Sequence, residues 1–168
     1  DGFTGDAIFY YSAIDNSGAK SNTVLYTIPV TNVPPLAKPI IAPVMPNSNG
    51  ATAIPALNAT DEDGTISNYT INSLPLPSQG VLLLNGVPVT VGQVLTPAEI
   101  SQLQFDPASG YTGEVVFNYY ATDNNGLVSN VSTYTLNVSG VPPVSQDVVS
   151  ATLTNTDGAT AIPALSST

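Results

Sequence analysis

Near its C-terminal third the chain alternates apolar and polar residues with period two, the spacing at which successive strand side chains point to opposite faces of a sheet. Val115, Phe117, Tyr119 and Ala121 fall on one side, and Val116, Asn118, Tyr120 and Thr122 on the other. Tyr134, Leu136 and Val138 alternate in the same way after "ATDNNGLV", whose Asp, Asn and Gly suit a hairpin turn. Further strands are expected at 40–45, 52–57, 65–74, 80–84, 87–91 and 103–105, with turn residues between them every 8–12 positions. One short helix is predicted from Pro97 to about Gln102, with Thr96 as N-cap and Glu99 closing a capping box.

The same pattern occurs twice. Shifting the chain by 108 residues lays "GFTGDAIFYYSAIDNSGAK" over "GYTGEVVFNYYATDNNGLV", and "GATAIPAL" at 50–57 over an identical copy at 158–165. Of the 60 overlapping positions, 27 are identical without a gap. The positions that stay apolar in both copies, Phe9 and Phe117, Tyr11 and Tyr119, Tyr26 and Tyr134, mark the face expected to be buried. A tandem array is implied. Residues 1–32 are expected to be the C-terminal strands of one repeat, 33–140 a complete repeat, and 141–168 the N-terminal strands of the next. The chain is thus expected to be a portion of a longer array. Each complete repeat is expected to be an all-β sandwich of Ig-like or cadherin-like type. Pro55, inside the octapeptide, places that strand at a sheet edge or a bulge, because proline has no N–H to give to a central ladder. The junctions "NVPP" and "GVPP" favour extended, stiff polyproline geometry, and so a semi-rigid rod of domains laid end to end.

Composition narrows the chemistry. Two lysines, no arginine and twelve acidic residues leave a formal net charge of −10. No basic groove for nucleic acid can be assembled from that set, nor a patch for anionic lipid. No apolar run is long enough to span a bilayer as a helix. Cys and His are absent, which removes thiol nucleophiles, disulfides, the usual zinc ligands and a Ser-His-Asp triad. No second acidic cluster faces the first across a cleft, so the chain is not expected to be an enzyme.

The segments "GYTGEVVFNYYATDNNGLVSNVSTYTLNV", "ATDEDGTISNYTI" and "GVLLLNGVPVTVGQVLTPAEISQLQFDP" resemble the cadherin-like, Ig-like tandem repeats of very large bacterial cell-surface adhesins. The resemblance covers the whole period. It implies an extracellular, surface-attached stalk that supports adhesion, gliding-related adhesion included, with any glycan or protein ligand bound elsewhere in the full-length protein. Alternatives are repeats that themselves hold a glycan or protein, or a filament built by strand exchange. Many members carry an Asn-Asp pair before the junction proline. Here Asn32 is kept and Val33 follows it.

The densest acidic stretch is "DEDG", 61–64, in the loop expected between the second and third strands. Such a loop shares one end of an Ig-like sandwich with the final hairpin turn. Asp61, Glu62 and Asp63 are therefore expected near Asp123 and Asn124, facing the incoming linker at Asn32. Oxygen ligands from several loops are what Ca²⁺ takes, six to eight at a time. The competing reading is a solvated turn in which Asp bonds its own backbone, and it applies equally to Asp15 and Asp123 of the two hairpins. Tyr11 and Tyr119 are read as core residues, with the hydroxyl directed toward a tyrosine corner.

Overall fold

A computed structural model describes residues 2–48, 50–149 and 164. Most of 141–168, including all of the second octapeptide but Ala164, lies outside them. The strands are β1 (Gly5–Tyr11), β2 (Val24–Val30), β3 (Leu36–Ala37), β4 (Ile40–Ile41), β5 (Met45–Pro46), β6 (Thr52–Ala53) and β7 (Ala59–Thr60). There follow β8 (Ile66–Ser73), β9 (Gly80–Leu84), β10 (Val87–Pro88), β11 (Val94–Leu95), β12 (Leu103–Pro107), β13 (Gly113–Asp123) and β14 (Ser132–Ser139).

From β3 onward these strands form an all-β sandwich. One sheet has the order β10-β9-β12-β6; the other runs β11-β8-β13-β14-β4, with β5 also paired to β14. The small β3–β7 pair stands apart from both. The core lies between the sheets, where β13 contributes Val115, Phe117, Tyr119 and Ala121, and β14 contributes Tyr134, Leu136 and Val138, all buried. Across from them stand Leu82, Leu103 and Phe105. Phe117 stacks on Tyr134 with ring centroids 4.6 Å apart. The alternation read from the sequence is thus the alternation of burial along these strands.

Where the chain departs from the expected elements, proline and turn geometry supply the reasons. The strand expected at 40–45 is two short pieces, β4 and β5, each parallel to β14, with Pro43 between them. The one expected at 52–57 shrinks to Thr52–Ala53, which pairs with β12 at the sheet edge. Pro55 ends the ladder there, while Ile54 and Leu57 both enter the core. The predicted helix is a four-residue 3₁₀ segment, Glu99–Gln102, starting later than Pro97. Its capping box nevertheless forms: the Glu99 carboxylate accepts from the Thr96 N–H and hydroxyl at 2.8 Å each. Asn85 and Gly86 take positive φ (52° and 78°) to turn β9 into β10, as a two-residue hairpin requires.

The Tyr119 hydroxyl does not form a tyrosine corner. It reaches across the sandwich, 2.9 Å from the Asn58 carbonyl and closer still to that of Lys38, and accepts from the Asn58 N–H at 3.2 Å. Tyr134 donates to the Pro55 carbonyl at 3.0 Å. Burial raises the pKa of both phenols, keeping them protonated donors.

β1 and β2 form a separate antiparallel hairpin joined to the sandwich through residues 31–35. Phe9 stacks on Tyr26 at 4.9 Å, matching Phe117 on Tyr134, yet the hairpin rings stay about half exposed. The equivalent rings of the sandwich are buried. Replacing Phe117 by Ala is therefore expected to lower stability by about 3–5 kcal/mol, and Phe9→Ala by less than about 1 kcal/mol, in urea titrations followed by tyrosine fluorescence.

Candidate acidic junction site

The linker enters the sandwich beside the turns that carry the acidic cluster. Two turns of the chain are built by aspartate side chains, one of them at this junction. Asp123 Oδ1 accepts from the backbone N–H groups of Asn125 and Leu127, at 2.8 and 2.9 Å. Asp15 plays the same part in the β1–β2 turn, accepting from the Ser17 and Ala19 N–H groups, each at 2.9 Å. The turn reading of both aspartates therefore describes their backbone contacts.

Asp123 has a second task. Its Oδ2 accepts from Asn32 Nδ2 at 2.6 Å, and Asn32 Oδ1 accepts from Asn125 Nδ2 at 2.9 Å. The next residue, Val33, donates its N–H to Asp63 Oδ2 at 3.0 Å. Asn124 closes the far side: its Oδ1 accepts from the Thr65 N–H at 2.7 Å, and its own N–H goes to the Thr65 carbonyl at 2.9 Å. Asn32, Asp63, Asp123 and Asn124 thus meet around the point where the chain enters. Glu62 is exposed and makes none of these bonds.

Asp61 stands among them without a partner. Both of its carboxylate oxygens and Asp63 Oδ1 are shielded from solvent, and none of the three is hydrogen-bonded. Gly64 explains how they fit so closely: a Cβ there would lie 2.4 Å from Asn124 Oδ1 and 2.7 Å from Asp61 Oδ2. Desolvation raises the Asp61 pKa; the Asp63 N–H, which falls short of hydrogen-bond geometry, opposes it in part, and the charges of Asp63 and Asp123 add to the rise. For Asp123, burial pushes upward but is outweighed by the Asn32 amide and the surrounding backbone N–H groups, so its pKa is lowered.

The oxygens are hard donors of the kind calcium takes, but carboxylates alone do not make a cage. Among the described residues no group of three or more His, Cys, Asp or Glu is arranged to hold a metal ion. Asp61 and Asp63 would have to be supplemented by amide and carbonyl oxygens. Asn125 and Thr65 were not singled out by sequence. Asn125 aligns with Ser17 in the other copy, so the repeat offers no signal for it.

A cavity of about 420 Å³ lies at the opposite end, between Asn47, Tyr111, Thr112 and Gly140 to Pro143. Asn47 spans its wall by donating to the Ala108 and Tyr111 carbonyls.

Neither a family model nor a curated protein matches this chain. Among solved structures, the fibronectin(III)-like modules of CbhA from Clostridium thermocellum align with 82% of this chain at 18% identity and a TM-score of 0.38. The chain spans 64% of that structure's length. No helix among the described residues is long and apolar enough to cross a membrane.

The pKa directions predict a pH dependence. A carboxyl whose folded pKa is raised favours the fold while protonated, and that advantage is lost as pH rises through the carboxylate range. Asp61→Asn removes this loss. In chelator, the urea midpoint of Asp61→Asn is expected to exceed that of the parent chain at pH 7, the two converging as pH falls below about 3.8. Asp123→Asn is expected to do the reverse, because a depressed pKa contributes stability that is present at neutral pH and lost on acidification.

Proposed function

We propose that this chain is a stalk segment of a long extracellular bacterial adhesin, whose work is to hold and space other domains. The observation that carries the reading is the placement of the sandwich's two ends. The chain enters at the Asp63–Asp123 end, where Asn32 and Val33 are bonded to the turns. It leaves beyond β14 at the other, where Gly140 packs near Thr112. The eleven-residue β13 runs between them, roughly 36 Å at about 3.3 Å per residue. Domains with entry and exit at opposite poles add length when joined in tandem.

The entry bonds also support a restrained junction. Three hydrogen bonds at two linker residues, Asn32 and Val33, hold its direction better than a free coil would. On this reading calcium completes the junction: Asp61 and the free oxygen of Asp63 supply the charge, and the amide oxygens of Asn32 and Asn124 the remaining protein ligands. Binding would relieve the desolvated, unpartnered carboxylate of Asp61. No catalytic role is part of this proposal.

Calorimetric titration of the 168-residue chain with CaCl₂ tests the metal. Binding that also raises the thermal midpoint, with both effects abolished in Asp61→Asn, is the expected result. No heat and no shift would remove calcium from the proposal. The rod is tested separately by small-angle scattering on chains of two and three complete repeats, whose maximum dimension is expected to grow by roughly 35–45 Å per repeat.

A further inference from the structure

Two Asn-Gly pairs lie among the described residues, Asn85–Gly86 in the β9–β10 hairpin and Asn125–Gly126 in the β13–β14 turn. Such a pair carries a latent reaction, because glycine has no Cβ to block the approach of its backbone nitrogen to the preceding side-chain amide. The glycine nitrogen gives its proton to solvent base and bonds to the asparagine Cγ. The Cγ–Nδ2 bond breaks, and Nδ2 leaves as ammonia with a proton taken back from solvent. Water then opens the cyclic imide at either carbonyl, breaking its bond to the glycine nitrogen, and leaves an aspartate or its β-linked isomer. Water is the only co-reactant.

At Asn125 the two ends of the amide are held by different parts of the chain. Nδ2 donates to Asn32 Oδ1 of the linker at 2.9 Å, and Oδ1 accepts from Asn124 Nδ2 of the turn itself at 2.8 Å. The linker bond fixes the orientation of the amide and strengthens its conjugation, which makes Cγ a poorer electrophile. The Asn124 bond acts the other way, with a donor at the oxygen where negative charge develops as Gly126 attacks. The Gly126 N–H is loosely held, 3.4 Å from the Asp123 carbonyl, and the Asn125 side chain is exposed to water. In the other hairpin Ser17 takes this position and gives its N–H to Asp15 as Asn125 does to Asp123. The amide is thus surplus to the turn and serves the linker.

We propose that Asn125–Gly126 is a self-modifying site that makes opening of the junction lasting. While the linker is docked, Asn32 holds the amide away from reaction. When Asn32 departs, the Asn124 donor and the Gly126 nitrogen remain in the turn, and the ring closes. The carboxylate that results has no N–H to return to Asn32 Oδ1. Two acceptors then face each other beside Asp123, in a chain whose net charge is already −10. The β-linked isomer also lengthens the main chain by a methylene inside the turn, which displaces the Leu127 N–H from Asp123 Oδ1. Either product opposes re-docking. The inference needs the docked linker, not the stalk role.

The test is ageing of the 168-residue chain at mildly alkaline pH, with amide loss at each asparagine located by mass-spectrometric fragmentation. Asn85 is the internal clock, the same dipeptide away from the junction. Asn32→Ala is expected to speed conversion of Asn125 about fivefold, the effect of one lost hydrogen bond, and to leave Asn85 unchanged. A cooperative urea transition checks that the variant is folded. Asn125→Asp, measured fresh at neutral pH, supplies the product directly. Hydrogen exchange of the Val33 N–H, which the docked linker gives to Asp63, is expected to be about fivefold faster in it than in the parent. In the parent that exchange is expected to quicken with the converted fraction, and in Asn125→Ser to stay constant on ageing. Equal conversion of Asn125 in the parent and in Asn32→Ala overturns the proposal, since the linker then guards nothing. So does an Asn125→Asp chain whose Val33 exchange matches the parent's. Both results leave the stalk reading standing, because it depends on the ends of the sandwich.

Discussion

Six prolines, Pro34, Pro35, Pro39, Pro43, Pro46 and Pro55, interrupt the segment that forms the first strands of the sandwich. Each removes a backbone donor, so no continuous ladder can run through it. The segment is instead attached at separate points, by two-residue pairings with β7, β14 and β12. Side chains supply the rest. Asn130 accepts from the Ala37 N–H and donates to its carbonyl, Tyr119 reaches Lys38 and Asn58, and Tyr134 reaches Pro55. The buried phenols of β13 and β14 therefore organise both the core, through their rings, and the attachment of the proline-rich segment, through their hydroxyls.

This division of labour has a consequence for the hairpin at the other end of the chain. A segment held by few ladder bonds and by side chains of β13 and β14 can be specified by those two strands alone. The β1–β2 hairpin keeps the aromatic residues concerned, Tyr11 and Tyr26, and keeps their register. Among the described residues its aromatic face is about half exposed, whereas the equivalent face of the sandwich is buried. The junction follows the opposite logic: there, polar side chains are gathered close, and Asp61 is left unpaired while Asp123 is bonded by its own turn and by Asn32.

Much of the fold was legible because β13 and β14 obey a simple rule. Their burial alternates with their polarity, and the internal repeat shows which face is invariant. The broken strands at 40–46 and 52–57 were less legible. Their apolar residues read as continuous strands, while the positions of the prolines decide where pairing can occur. The Tyr119 contact was not legible either, since its partners lie 61 and 81 residues away in the chain and are backbone carbonyls, which every residue possesses.

At the acidic end, the sequence alone determined the cast: a DEDG loop, an Asp-Asn turn and an Asn before the linker prolines, in a chain too poor in cations to neutralise them. It also determined the all-β class, through period two and turn spacing. Only the tertiary structure decided which carboxylates are satisfied. Asp123 is spent on its own turn and on Asn32, whereas Asp61 is shielded and unpaired. Hydrogen-bond satisfaction depends on distances of a few tenths of an ångström between loops more than fifty residues apart, and residue identity does not encode those distances locally.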